Sequence, residues 1–332
     1  MTALVLPLMR SRALGALAAL ALAAALLLIP FITYPLFVMN VFAFVLFASA
    51  LNLVVGYAGL LSLGHAAFFG GAAYVTAHAA KVWGLPFEVS VLLGAAFAGL
   101  LGLLFGLVGI RRRGIYFAMI TLALAQMVYF LAVQMPFTGG EDGIQAVPRG
   151  TLLGLVDLSD IRSMYYVVLG GMVIGLLIIW RTIHSPFGHV LAAIRENEAR
   201  AVSLGLDVAR YKLTAFVLSA TLSGFAGSLK VLSFQLAALN NVSWHLSGEV
   251  VLMTLVGGLG TFAGPIIGSA FLVTLEQMLA TSGLPISLIV GTIFMVCVML
   301  FRRGVWGEMR ALLGESMHSR NNNENKDLRE SS

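Results

Sequence analysis

The sequence predicts an all-α polytopic membrane protein of about ten transmembrane helices, some short or broken, with one further helix held at the cytoplasmic face. Three observations predict it. Of 332 residues, 59% are hydrophobic and only 11% are charged, where soluble domains carry roughly 45–50% and about 25%. Mean hydropathy is +0.96. Apolar runs recur at a length near the ~20 residues that a helix needs to cross a bilayer. An ordinary soluble enzyme and a disordered chain are excluded.

The runs fall at 13–31, 36–55, 60–80, 89–110, 114–134, 164–180, 212–236, 249–258, 266–281 and 286–301. The first follows Arg10 and Arg12 and is long with no clear cleavage site after it, so it reads as a retained helix rather than a signal peptide. The run 249–258 is about 15 Å long at 1.5 Å per residue, so it is a half-span or a broken helix. Ten passes place both termini on one side. Arg10, Arg12, Arg111, Arg112, Arg113, Arg181, Arg195, Arg200, Arg210, Lys212, Arg302 and Arg303 occupy the alternate connections of one face. Lys81, Arg149 and Arg162 occupy the other. Twelve cations against three make the N- and C-termini cytoplasmic.

Two polar excursions exceed simple turns: 135–163 on the outer face and 181–211 on the cytoplasmic face. The tail 304–332, with Asn321, Asn322, Asn323, Glu324 and Asn325, is too polar to bury a core and reads as disordered.

Reactive chemistry is missing. None of the five Asp residues (142, 157, 160, 207 and 327) lies in an apolar run, so an intramembrane aspartyl dyad is excluded. None of the four Lys residues sits in a phosphate-binding loop, so the chain does not bind ATP that way. The single Cys297 provides neither an internal disulfide nor a thiolate metal site. The net charge of +5 sits at the ends of apolar runs and reads as a topology signal, not a nucleic-acid surface. No catalytic residue, metal or cofactor is expected, and the lipid bilayer is the one partner composition alone demands.

The excursion 181–211 is the most informative stretch. Pro186 and Gly188 break the preceding helix. Val190, Leu191, Ile194, Ala201 and Val202 repeat at helical spacing, Arg195, Glu196, Glu198 and Arg200 make a charged face, and Gly205 stops the helix. Such a helix can insert into a groove on a soluble partner or lie on lipid. Glu196 and Glu198 weigh weakly against an anionic surface.

Two glycine runs resemble each other: Gly56, Gly59 and Gly64, and Gly257, Gly260 and Gly264. They suggest two related halves. Glycine permits close helix contact, as at the pairs Gly102/Gly106 and Gly171/Gly175, and it also permits a helix to break inside the membrane. Both readings, packing and lining of a translocation pathway, stand open. The pathway set is Asn52, Gly56, Tyr57, Gly59, Ser62, Gly64, His65, Glu249, Gly257, Gly258 and Gly260. His65 also reads as a neutral imidazole packed on backbone carbonyls. Glu249 begins the short run and either meets an amino group or sits at the interface. Glu276 lies in the ninth run, and Lys230 snorkels outward.

The stretch Ser185-Pro186-Phe187-Gly188 through Gly205, running on into Asp207-Val208-Ala209-Arg210-Tyr211-Lys212-Leu213, is similar to the coupling segment of the permease subunits of branched-chain amino acid ABC importers, and close to their second, M-type permease. Leu51-Asn52-Leu53 through Ala66-Ala67-Phe68-Phe69, Arg113-Gly114-Ile115-Tyr116-Phe117-Ala118, Thr138-Gly139-Gly140, and Gly257-Gly258-Leu259-Gly260-Thr261 with Gly264-Pro265 resemble the same family. One departure is Arg302, where such permeases often place Pro before Arg-Gly. The resemblance implies three regions: 1–34 with the first membrane helix, a permease transmembrane domain over 35–303 with its coupling loop at 181–211, and the tail 304–332. It implies contact with ATPases through Phe187, Gly188, Ile194, Arg195, Glu196, Asn197, Glu198 and Gly205. It further implies a homologous permease partner, two cytosolic ABC ATPases, an extracytoplasmic substrate-binding protein and a place in the bacterial cytoplasmic (inner) membrane. Leucine, isoleucine and valine are the implied substrates. Import of urea or short amides, a stand-alone secondary transporter and a membrane enzyme are the alternatives.

Overall fold

The computed structural model describes residues 24–280 apart from 32 and 113, together with 289, 291, 292 and 295. Residues 24–31 are helical. They are followed by α1 (Pro35–Asn52), α2 (His65–Lys81), α3 (Phe87–Gly109), α4 (Ile115–Gln134) and α5 (Ile161–Ile183). Two short helices, α6 (Pro186–Glu196) and α7 (Glu198–Ser203), precede the long α8 (Val208–Phe234). The helices α9 (Trp244–Gly257) and α10 (Ala263–Ala280) follow. Among the described residues, six helices are long and apolar enough to cross a membrane: α1 with its extension to Tyr57, α3, α4, α5, α8 and α10. The chain is an all-α, multi-pass membrane protein.

Two small strand pairs interrupt the helical pattern. β1 (Ile144–Gln145) pairs antiparallel with β4 (Leu236–Ala237), and β2 (Thr151–Leu152) with β3 (Val156–Asp157). The first pair, helped by a bond from Lys81 Nζ to the Gln145 carbonyl (2.7 Å), closes one end of the bundle. The other end carries Arg111, Arg112 and the α5–α8 connection.

Side-chain capping explains several boundaries. Asp160, Ser185, Asn197 and Asp207 each accept a backbone N–H three residues ahead and so start α5, α6, α7 and α8. Each cap satisfies a donor that the helix itself cannot.

The helix α8, about 40 Å long at 1.5 Å per residue, is the axis of the bundle and packs against α1, α2, α3 and α5. Small residues set its distances. A Cβ on Gly171 would stand 2.7 Å from Leu229 and one on Gly99 2.6 Å from the Thr221 hydroxyl. Gly102 faces Ala220, and Gly175 faces Leu46. The expected glycine pairs are therefore packing positions. Thr76 donates to Ser228 Oγ (2.7 Å), which donates to the Gly224 carbonyl, so the buried hydroxyls of α2 and α8 are satisfied. On the outside, α3, α4 and α5 expose Leu92, Leu100, Leu107, Met127, Phe130, Ile174 and Leu177. An apolar surface of that extent suits a hydrocarbon solvent.

Several expectations need correction. The run 60–80 is helical only from His65, because the chain leaves helical geometry at Ala58. The helix carrying 249–258 starts at Trp244, so Glu249 lies in its second turn rather than at its start. The segment 187–205 is two helices, not one: Asn197 takes an extended conformation (φ −154°, ψ 97°) and caps α7. Gly188 does not break the preceding helix, since α5 has already ended. It is buried in α6 against the Ile183 carbonyl, where no side chain fits. The first half of the run 13–31, nearly all of 286–301 with Cys297, the border at Arg302 and the tail 304–332 lie outside the described residues.

Candidate functional site

The two glycine runs meet. The helix α1 ends in a π-helical turn, Leu53–Tyr57, and the chain then runs without helix to Gly64. The second break, 258–262, lies between α9 and α10. Asn52 joins them. Its Nδ2 donates to the Thr261 carbonyl (2.8 Å), and its Oδ1 accepts the Gly260 N–H (3.1 Å). At 3% exposure, this amide supplies two bonds that the broken backbone would otherwise lack. Closeness needs glycine: a Cβ on Gly56 would stand 2.6 Å from the Gly260 nitrogen. Gly59, Gly258 and Gly260 have φ of +71°, +116° and +74°, a region that L side chains rarely enter.

The α5–α8 connection reaches the same place. Arg195, in the last turn of α6, donates from Nη1 to the Gly56 carbonyl. The resemblance assigned Arg195 to the ATPase-facing set; in the structure it is solvent-exposed and its guanidinium also reaches back to the first break. Ile194 and Leu191 are buried in this chain as well, and Phe187 stacks on Tyr211 (5.6 Å between centroids). The apolar face of α6 is thus already covered. Val202 and Leu204 on α7 and its exit are the exposed apolar side chains of this segment, and Glu196 and Asn197 are exposed beside them. The period-3.6 pattern over 187–205 concealed this, because it treated the segment as one helix. Gly205 (φ +82°) closes α7: its N–H bonds the Val202 carbonyl (2.9 Å) and the Leu206 N–H bonds the Ala201 carbonyl (3.2 Å).

Glu198 pairs with Lys212 Nζ at 3.1 Å, pinning α7 to α8. Lys212 is 7% exposed, so losing its partner leaves a nearly buried charge. Glu198→Lys is expected to destabilise the fold by about 2–4 kcal/mol. Restoring the pair as Glu198→Lys with Lys212→Glu is expected to recover at least half of that, measured by thermal unfolding in detergent. A double variant no better than the single one would remove the pair from the account.

His65 and Ser62 form a second cluster, one step along from the first break. Ser219 donates to the Ala50 carbonyl (2.5 Å), so its oxygen is free to accept from His65 Nε2 (2.9 Å). His65 Nδ1 then accepts from Ser62 Oγ (2.8 Å), whose oxygen also takes the Gly64 N–H. The bonds fit a neutral imidazole protonated at Nε2. The partners are hydroxyls, not the backbone carbonyls expected. Phe68 and Phe216 close the ring in edge-on (5.2 and 5.6 Å). Gly64 lies directly against the Thr121 carbonyl. Ser62, Gly64 and His65 are therefore interior packing positions in this conformation, while half-buried Tyr57 stands beside the first break.

Glu249 stands apart from both clusters. With Asn40, His245, Glu276 and Gln277 it lines a cavity of about 540 Å³ between α1, α9 and α10, toward the strand-paired end. The Asn40 amide oxygen there has no hydrogen-bond partner among the described residues. Behind the cavity, Lys230 is held by Asn241 Oδ1 (3.2 Å) and lies over the rings of Phe44 (4.4 Å) and Phe69 (5.5 Å). The sequence placed Glu249 and Glu276 in separate spans and gave no sign that they share one cavity.

Residues 34–301 match the family described as the branched-chain amino acid transport system permease component. The high-affinity branched-chain amino acid transport system permease protein LivM of Escherichia coli is 31% identical over 78% of this chain and 66% of its own length. The ribose import permease protein RbsC of Bacillus subtilis is 28% identical over 54% of this chain and 58% of its own. A probable branched-chain amino acid transport permease protein LivM of Methanocaldococcus jannaschii is 24% identical over 58% of this chain and 55% of its own. The chain thus spans somewhat less than two thirds of the length of these relatives. No solved structure gives a significant match. The match over 34–301 includes both glycine breaks, the α5–α8 connection and the cavity, and the protein belongs to the permease family of branched-chain amino acid transport systems.

Proposed function

We propose that this chain forms one half of the pore of an ATP-driven importer of leucine, isoleucine and valine. A homologous permease completes the pore. Two cytosolic ABC ATPases bind the α6–α7 segment, and an extracytoplasmic binding protein delivers the substrate. The chain sits in the bacterial cytoplasmic membrane with about ten helices and both termini in the cytoplasm, so Arg111, Arg112 and α6–α7 face the cytosol and the β1–β4 end faces out. The unequal charge of the two faces supports this orientation.

One observation supports the reading: a short double helix between two spans, tied to the membrane domain by Arg195 and by Glu198–Lys212, leaves Val202 and Leu204 exposed, where a partner could cover them. ATP-driven closure of the ATPases pushes this segment. The push reorients the helices around the breaks at Gly56–Gly59 and Gly258–Gly260, which alternates access. The binding protein supplies most of the selectivity, so the pore has no need of tight binding.

The test is uptake of radiolabelled leucine by vesicles holding the chain with its ATPase, permease and binding-protein companions. Uptake is expected to require ATP and all of the companions, and Leu204→Glu is expected to lower it at least tenfold. Accumulation by the chain alone, without a hydrolysing companion, would overturn the proposal.

A further inference from the structure

Arg195, in the segment between α5 and α8, touches both glycine breaks. Its guanidinium donates to the Gly56 carbonyl. That carbonyl lies where α1 loses helical geometry, so no N–H ahead of it along the helix can take it. The aliphatic stem lies along Gly59, where an added Cβ would stand 3.2 Å from Cγ. The guanidinium also lies against the second break: a Cβ on Gly260 would be 2.8 Å from Nη1 and 3.1 Å from the Gly56 oxygen. Any side chain at these glycines would displace the arginine or the backbone. Asn52 fixes the two breaks to each other underneath. The arrangement is a junction of two irregular backbones with one cation laid across it. That cation comes from α6, whose Leu191 and Ile194 are buried in this chain.

We propose that Arg195 is a positioning residue that holds the two glycine breaks together, and that movement of α6 opens them by withdrawing its guanidinium. The chemistry favours a device of this kind. A charge-assisted bond to a buried carbonyl is strong while made and costly when broken, so the junction has two discrete arrangements rather than a soft continuum. Withdrawal leaves the Gly56 carbonyl without its donor, and the π-helical turn is free to rewind. Lys keeps a charge that can reach one carbonyl, but it cannot cover both breaks with a planar fork. The inference rests on the proposed function for its driving force, although the junction itself can be tested without transport.

The first experiment uses the full-length chain in detergent, with Cys297 replaced by Ser and Ser62, buried in the first break, replaced by Cys. Maleimide labelling is expected to be slow with Arg195 present, at least fivefold faster with Arg195→Ala, and intermediate with Arg195→Lys. Equal rates in all three overturn the proposal whatever the chain transports. The second uses the assembled complex in vesicles. Arg195→Ala is expected to lower the leucine moved per ATP at least tenfold, and Arg195→Lys to restore part of it. A parallel fall of hydrolysis, assembly and uptake would mean that Arg195 only maintains the fold or the ATPase contact, and it would sink the inference. Failure of the unsubstituted complex to use ATP for uptake would instead count against the proposed function, leaving the labelling result to decide for Arg195.

Discussion

Replacing Asn52 with alanine is expected to lower stability by about 2–4 kcal/mol, because two backbone groups lose their partners at once. The Gly260 N–H and the Thr261 carbonyl belong to a non-helical segment and have no ladder to fall back on. Water cannot replace the amide where the site is 3% exposed. Thermal unfolding in detergent is expected to shift down by about 5–10 °C. Asn52→Gln is expected to do no better, since the longer chain must enter space that the absence of a side chain at Gly56 leaves to Asn52 itself. A shift below about 1 °C for Asn52→Ala would mean that the breaks are held together by something else.

A larger loss is expected from Gly257→Val. The helices α9 and α10 touch backbone to backbone at this point. A side chain at Gly257 would enter the Gly264 carbonyl, and one at Gly268 would stand 2.8 Å from the Gly257 nitrogen. No rotamer relieves an overlap at Cβ, so the helices must separate, at about 3 kcal/mol or more. The protein is expected to accumulate poorly and to unfold more than about 10 °C lower. Gly248, on the same helix, is the control: a Cβ there meets nothing within 4 Å among the described residues. Gly248→Ala is expected to be neutral or to stabilise by up to about 1 kcal/mol through helix propensity. If both substitutions behaved alike, close contact would not be the reason for Gly257.

The bilayer makes much of this fold legible. Long apolar runs and the arginines between them follow from local rules, and most of the described helices fall within those runs, although the bounds at 60–80, 187–205 and 249–258 need correction. The glycine runs were legible as places where helices break or touch, and at Gly56, Gly64 and Gly257 the structure shows close contact. The partners across those contacts were not legible. Asn52 with Thr261, His65 with Ser219 and Arg195 with Gly56 are pairs more than 130 residues apart in the chain, and no periodicity reports them. Periodicity also misled at 187–205. It counts apolar positions without knowing that Asn197 resets the helix, so it could not separate the buried Ile194 from the exposed Leu204. The cavity with Glu249 and Glu276 was hidden for a related reason: hydropathy flags each carboxylate as costly but does not say which of them face one another.

The pairing of Ile144–Gln145 with Leu236–Ala237 constrains biogenesis. These strands lie about ninety residues apart, with α5 to α8 between them. At about 5–20 residues per second, the ribosome needs roughly 5–18 s to make the intervening chain. Until α8 has been threaded through the translocon, β1 has no strand to clasp. The clasp is thus a late closure, and it seals the bundle only when every intervening helix has reached its proper side.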